Sequence, residues 1–270
     1  MTIFITGATD GLGRALAGRL AADGHPLILH GRDAGKLADT AAGIRDAHGV
    51  EVHTALADLA DLAQVRELAA DVRALTDRLD VFVSNAGVGS GLPDGRTRQT
   101  SVDGHELRFA VNYLAGFLLT LELLPLLRAA APARIVNVAS LGQHPLDFDD
   151  LMIEHGYSGS RAYSQSKLAQ IMSGFELAAR LTDVTVNSLH PGTYMPTKIV
   201  KAEVSQTIDT LETGVDTTSR LAVGADVEGV TGRFFDRIRE ARADDQAYDP
   251  AARRELWRRS LSLVDHPDIG

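Results

Sequence analysis

Thr6-Gly7-Ala8-Thr9-Asp10-Gly11-Leu12-Gly13 stands between the apolar run Ile3-Phe4-Ile5 and a segment of helical period over 13–23. Gly7 permits a tight turn, Gly11 lets the backbone approach a pyrophosphate, and Gly13 lets the following helix sit close to a sheet. The helix N-terminus then offers unpaired N–H groups and a partial positive charge to phosphates. A glycine turn alone is weak evidence. Its place between the first strand and the first helix of an alternating chain gives it weight.

Outward from that turn, short apolar runs alternate with longer segments of helical period, the pattern of parallel βαβ units. Strands are expected over 3–6, 26–30, 50–55, 80–84, 134–139 and 184–189, with a shorter seventh over 232–235. Helices fill the gaps over 13–23, 33–48, 62–77, 105–130 and 160–181, and one or two more fall between 198 and 223. Right-handed crossovers place these on both faces of one doubly wound, Rossmann-type parallel sheet of about seven strands, an α/β fold in a single domain over 1–270. The non-repetitive stretches 88–104, 141–159 and 191–206 all follow carboxyl ends of strands. Open α/β sheets bind ligands there, so 141–159 and 191–206 are expected to wall a substrate pocket, with a C-terminal segment over 236–270.

With 270 residues, 44% hydrophobic and 23% charged, the chain has an ordinary globular composition and room for a full core. A net charge of −9 argues against a nucleic-acid partner, which calls for a basic face. The absence of cysteine removes disulfides, zinc–thiolate sites and a thiol nucleophile. Nine scattered histidines with no HExxH offer no metal site, and the acids Asp147, Asp149 and Asp150 read as a solvated loop. Ser140 lacks the GxSxG elbow of acyl-transfer hydrolases. The apolar run 113–127, broken by Glu122 and Pro125, reads as too short and interrupted to span a bilayer. With no signal peptide ahead of the first strand, a soluble cytoplasmic protein is expected.

All but four of the 27 basic residues are arginine; the lysines are Lys36, Lys167, Lys198 and Lys201. Tyr163 and Lys167 lie four apart on an expected helix, hence on one face. With five tyrosines and four lysines in the chain, chance predicts roughly 0.07 Tyr-x-x-x-Lys pairs. A neighbouring ammonium stabilises a phenolate and makes the phenol a usable proton donor near neutral pH. Ser140 ends the fifth strand, where its hydroxyl can meet charge developing on the same substrate oxygen. Asn112 lies inside a helix, where an amide gains little unless it binds something, such as a water leading to Lys167.

The spacing TGxxxGxG over 6–13 resembles the cofactor turn of the short-chain dehydrogenase/reductase family. Asp58-Leu59 resembles that family's adenine contact, Asn85-Ala86-Gly87 its NAG motif and Pro191-Gly192 its PG motif. Asn112, Ser140, Tyr163 and Lys167 stand where its catalytic tetrad falls. The runs DGHELRFAVNYLAGFLLT (103–120), FDD (148–150), YSGSRAYSQSKLAQ (157–170) and TGRFFD (231–236) are similar to a branch of retinol-dehydrogenase-like, protochlorophyllide-reductase-like and WW-domain-oxidoreductase-like proteins. The lengthened interval from Ser140 to Tyr163 is also similar to that branch, whereas no membrane anchor is seen, which counts against a bilayer-embedded retinoid enzyme.

The resemblance implies carbonyl–alcohol interconversion with a nicotinamide cofactor held by Gly7, Thr9, Asp10, Gly11, Leu12, Gly13, Asp58, Leu59, Asn85, Ala86, Gly87, Tyr163, Lys167, Pro191, Gly192, Thr193 and Thr197. NAD-preferring members carry an acid where Gly31 stands; here Arg32 follows, and a guanidinium suits a 2′-phosphate, so NADP(H) is expected over NAD(H). Asp10 and Asp33 temper that reading. Leu141, His144, Phe148, Tyr157, Tyr194 and Met195 are expected to line the substrate pocket and to favour a mostly apolar ketone or aldehyde. The alternatives are a non-catalytic NADP-sensing protein on the same fold and a sugar-nucleotide epimerase or dehydratase. The family often forms homodimers through the helices carrying Asn112 and Tyr163, while this branch includes monomers.

Overall fold

β1 (Ile3–Ile5) is buried throughout and pairs in parallel with β2 (Leu27–Gly31) on one side and β4 (Val81–Ser84) on the other. A strand covered by helices front and back must be apolar on both faces, as these three residues are. The computed structural model describes residues 1–91, 93–201 and 205–269. Outward from the centre, β3 (Val52–Leu56) joins β2, while β5 (Ala133–Val138), β6 (Val184–His190) and β7 (Arg233–Asp236) extend the parallel sheet beyond β4. The order is β3-β2-β1-β4-β5-β6-β7-β8. β8 (Arg239–Glu240), absent from the sequence expectation, is antiparallel to β7. Its two residues are too few to carry an apolar alternation. The connection between them turns at Arg237, whose φ of 54° lies in the left-handed region.

The order reverses between β1 and β4, so the crevice above their carboxyl ends is the switch point at which such sheets hold ligands. The helices that follow β1, β2 and β3 are capped by aspartates ending the preceding turns. Asp10 accepts from Gly11 N–H at the head of α1 (Gly11–Ala22), Asp33 from Lys36 N–H at α2 (Ala34–His48), and Asp61 from Ala63 and Gln64 N–H at α3 (Leu62–Leu75).

One core packs α1 and α2 against the sheet. The other lies beneath α3, α4 (Leu107–Phe109), α5 (Ala115–Ala129) and α6 (Gly159–Arg180). A π turn at Ala110–Leu114 joins α4 to α5. The resulting helix, Leu107–Ala129, is long and apolar enough by length and composition to cross a membrane, which corrects the expectation that the run is too short. Its most apolar window is 78% buried within the protein, so its hydrophobicity is satisfied by core packing.

Beyond β6 come the short α7 (Lys198–Lys201) and α8 (Leu211–Val223), which packs beside α1. Within the expected pocket wall over 191–206, residues 202–204 lie outside the described residues, as does residue 270 in the C-terminal segment. α9 (Pro250–Leu263) packs across α6; Trp257 meets the Phe117 ring edge-on at 5.1 Å and Ser260 Oγ lies 2.6 Å from Tyr113 Oη.

Candidate active site

The glycine turn is fastened to the ends of its neighbouring strands. Gly7 has φ 68°, and a Cβ there would meet Ala86 Cα at 2.8 Å. A Cβ on Gly13 would stand 2.3 Å from Gly7 O and 2.5 Å from Asn85 Nδ2, so α1 approaches the turn more closely than any other residue allows. Thr6 Oγ1 accepts from the N–H groups of Asn85 and Ala86, and Asn85 Nδ2 donates to Thr6 O at 2.8 Å and Gly7 O at 3.2 Å. Asn85 and Ala86 therefore brace the turn.

His30, outside the expected set, braces it from the other side. Its Nδ1 accepts from Gly7 N–H at 3.2 Å, and its Nε2 faces Ala57 O at 3.1 Å. A carbonyl only accepts, so Nε2 carries the proton and the ring is neutral. Burial pushes its pKa down to about 4.

Beneath the carboxyl end of β4, Gly87, Asn112 and Lys167 come together: a Cβ on Gly87 would lie 3.2 Å from Asn112 Oδ1 and 3.8 Å from Lys167 Nζ. Lys167 Nζ donates to Val138 O at 2.7 Å and to Gln170 Oε1 at 3.3 Å, and burial pushes its pKa down to about 8. It lies 5.8 Å from the centre of the Tyr163 ring. Ser140 and Tyr163 flank one space, since a Cβ on Gly142 would be 3.4 Å from Ser140 Oγ and 3.9 Å from Tyr163 Cε1. Asn112 plays a bracing part. Its Oδ1 accepts from Val88 N–H at 2.6 Å, while its Nδ2 donates to Val88 O and to Ser166 Oγ. The π turn puts Asn112 in a backbone geometry that recurs at functional sites because it disturbs the helical ladder.

Around this centre, Thr197 covers the turn, with its Cγ2 3.2 Å from a Cβ placed on Gly11. Thr9 Cγ2 would be only 2.5 Å from a Cβ on Gly31, so a side chain at Gly31 would have to displace Thr9. Arg32 is exposed and forms no ion pair among the described residues, while the Asp33 carboxylate is engaged with α2. Asp10 is likewise engaged as a cap. Asp58 accepts from Ala60 N–H, whereas the side chains of Leu59 and Leu12 are core residues that leave only their backbones for a ligand.

Following β6, Pro191 and Gly192 are buried, and Thr193 N–H donates to Asp209 Oδ2. Arg237 donates to the same carboxylate through Nε and to Thr193 Oγ1 through Nη2, which ties this segment to the β7–β8 turn.

The six residues expected to line the substrate pocket separate. Leu141, His144 and Tyr194 are exposed. Met195 is buried beneath Gly192 and Gly214, and Phe148 packs on the α6-side core, where the Arg259 guanidinium lies 5.5 Å from its ring. Tyr157 turns inward: its hydroxyl donates to Glu106 Oε1 at 3.1 Å and accepts from Arg108. Met195, Phe148 and Tyr157 thus each have partners within the protein, while Leu141, His144 and Tyr194 stay exposed. Arg108, fully buried, was missed. Its sign in the sequence is a charge between Leu107 and Phe109 at the head of a largely apolar helix.

The site fits a nicotinamide dinucleotide by its own geometry, with a side-chain-free turn at the head of α1 and a buried lysine behind a glycine at the switch point. Comparison with known proteins agrees. The family model described as short chain dehydrogenase matches residues 1–208. Human retinol dehydrogenase 13 is 36% identical over 283 residues, covering 97% of this chain and 84% of its own length. "Putative daunorubicin C-13 ketoreductase DnrU" from Streptomyces sp. (strain C5) is 36% identical over 271 residues, covering 97% and 92%. Among solved structures, the Pseudomonas aeruginosa RhlG/NADP active-site complex aligns with TM-score 0.70 at 27% identity, covering 87% of this chain and 93% of that one. This chain belongs to the short-chain dehydrogenase/reductase family of nicotinamide-dependent oxidoreductases.

Proposed function

We propose that the chain is an NADP(H)-dependent reductase of a mostly apolar ketone or aldehyde. The observation that carries this reading is the meeting of Ser140 and Tyr163 at one space, with Lys167 buried close by and behind Gly87. A nicotinamide held at this site would supply the hydride. Tyr163 gives its hydroxyl proton to the substrate oxygen, and the Ser140 hydroxyl donates a hydrogen bond to that oxygen as charge gathers on it. The Lys167 ammonium favours the phenolate left on Tyr163. Asn112 holds Val88, and with it the backbone in front of Lys167, in register.

The preference for NADP(H) rests on Arg32, exposed at the end of β2, and on Thr9 occupying the space that a side chain at Gly31 would need. The apolar substrate rests on the exposed Leu141 and Tyr194, and a relative named for daunorubicin C-13 supports a polycyclic ketone. α9 covers the face of α5 and α6 around Phe117 and Tyr113, which supports a monomer. The test is turnover of a panel of polycyclic and small ketones with NADPH and with NADH. NADPH oxidation with apolar ketones is expected; reduction of small polar ketones alone, or equal use of NADH, would overturn the reading.

A further inference from the structure

Arg108 is 0% exposed, and an arginine at that depth must be held by several partners. Its Nε donates to Gly89 O at 2.8 Å and its Nη2 to Ser90 O at 2.8 Å and Asp94 O at 3.3 Å. Its Nη1 donates to the Tyr157 hydroxyl and lies 3.5 Å from Glu106 Oε1. Glu106 completes the cluster: Oε2 caps α4 by accepting from Phe109 N–H at 2.7 Å, and Oε1 accepts from Tyr157. Burial and the Glu106 carboxylate push the Tyr157 pKa up to about 12, so its hydroxyl stays protonated and donates throughout the neutral range.

These partners belong to the segments that leave the reacting groups. Gly89 and Ser90 follow Gly87, which fronts Lys167. Tyr157 closes the segment that begins at Ser140 and precedes the helix carrying Tyr163. The same layers touch again where Gly159 N–H donates to Gly95 O at 2.8 Å. Asn112, one helical turn beyond Arg108, holds Val88. Two side chains of a single helix thereby set the path of the segment after β4, and one of them also anchors the segment after β5.

We propose that Arg108 is a positioning residue that fixes the substrate mouth by clamping Gly89, Ser90 and Asp94 to Tyr157, and that this clamp sets the size selectivity of the site. The mouth is then preorganised for a bulky ligand, because the ordering of both walls is complete before the ligand arrives. Loosening the clamp leaves Tyr163, Lys167 and the glycine turn in place and releases the walls alone.

This inference rests on the reductase reading for its kinetic arm and is independent of it for its structural arm. Tyr157→Phe removes one hydroxyl and keeps the packing, and Arg108→Lys keeps the charge and loses the planar fork. For both full-length variants, amide hydrogen exchange is followed with and without NADPH, and kcat and KM are measured for a polycyclic and a small aliphatic ketone. Exchange in residues 88–91 and 151–158 should rise about tenfold, the loss expected for one charge-assisted hydrogen bond, with β1, β4 and β5 unchanged. NADPH affinity should hold. KM for the polycyclic ketone should rise about tenfold relative to that for the small one, with kcat for the small ketone retained.

Unchanged exchange in both variants, exchange rising equally in the central strands, or an unaltered ratio of the two KM values would overturn the clamp. If the native chain reduced no ketone, the function proposal would fall and the exchange data would still decide whether the clamp exists.

Discussion

Protonating His30 should weaken the fold, and the size of the effect follows from the turn it holds. The ring is buried and neutral, and its pKa lies at about 4 against an ordinary 6.5. The unfolded chain therefore takes up the proton first as pH falls. The stability contributed by the neutral ring is complete above pH 6.5 and is lost progressively towards pH 4. At about 1.36 kcal/mol per pH unit, the full loss is about 3 kcal/mol, of which about 2 kcal/mol is expressed at about pH 5.

Carboxylates and other histidines also titrate in this range, so the measurement needs a reference that shares them. His30→Gln provides one, keeping an amide donor for Ala57 O without a titrating ring. Urea unfolding of both proteins at about pH 7.5 and about pH 5 should show the native chain losing about 2 kcal/mol more than the variant. Equal losses would refute the assignment of a buried neutral imidazole bracing Gly7. The variant should also be weaker at the higher pH by about 1 kcal/mol, because Gly7 N–H loses its acceptor.

Three further outcomes follow from the site. Gly13→Ala places a methyl 2.3 Å from Gly7 O; it should cost about 1–3 kcal/mol in unfolding experiments and abolish NADPH binding by titration, since the turn must shift. Arg32→Ala should weaken NADPH about ten- to hundredfold, read by fluorescence titration, and leave NADH affinity unchanged. Lys167, with its pKa pushed down to about 8, is charged below that value, so its support of the Tyr163 phenolate fades as pH rises; kcat/KM should fall above about pH 8 in a pH–rate profile.

The parallel order was legible because Val81-Phe82-Val83 and Ile135-Val136 are apolar on both faces, and such strands have one environment wherever they sit. Tyr163 and Lys167 were legible because helical spacing alone puts them on one face. What stayed hidden depends on contacts between distant parts of the chain. Nothing near His30 foretells that Gly7 and Ala57 will close on its two nitrogens, and Tyr157 meets an arginine 49 residues away. Loop position places Tyr157 among the candidate pocket residues but does not reveal the demand for its hydroxyl that burial of Arg108 and Glu106 creates. The π turn at Asn112 is a backbone departure with no composition of its own.

The most direct test of the central claim is single-turnover reduction of an apolar ketone by the native chain and by Tyr163→Phe, each preloaded with NADPH. The variant should bind NADPH with unchanged affinity and lose at least about a hundredfold in the rate at which reduced-nicotinamide absorbance decays, because the proton donor is gone while the turn is intact. A variant that reduces the ketone as fast as the native chain would contradict the account.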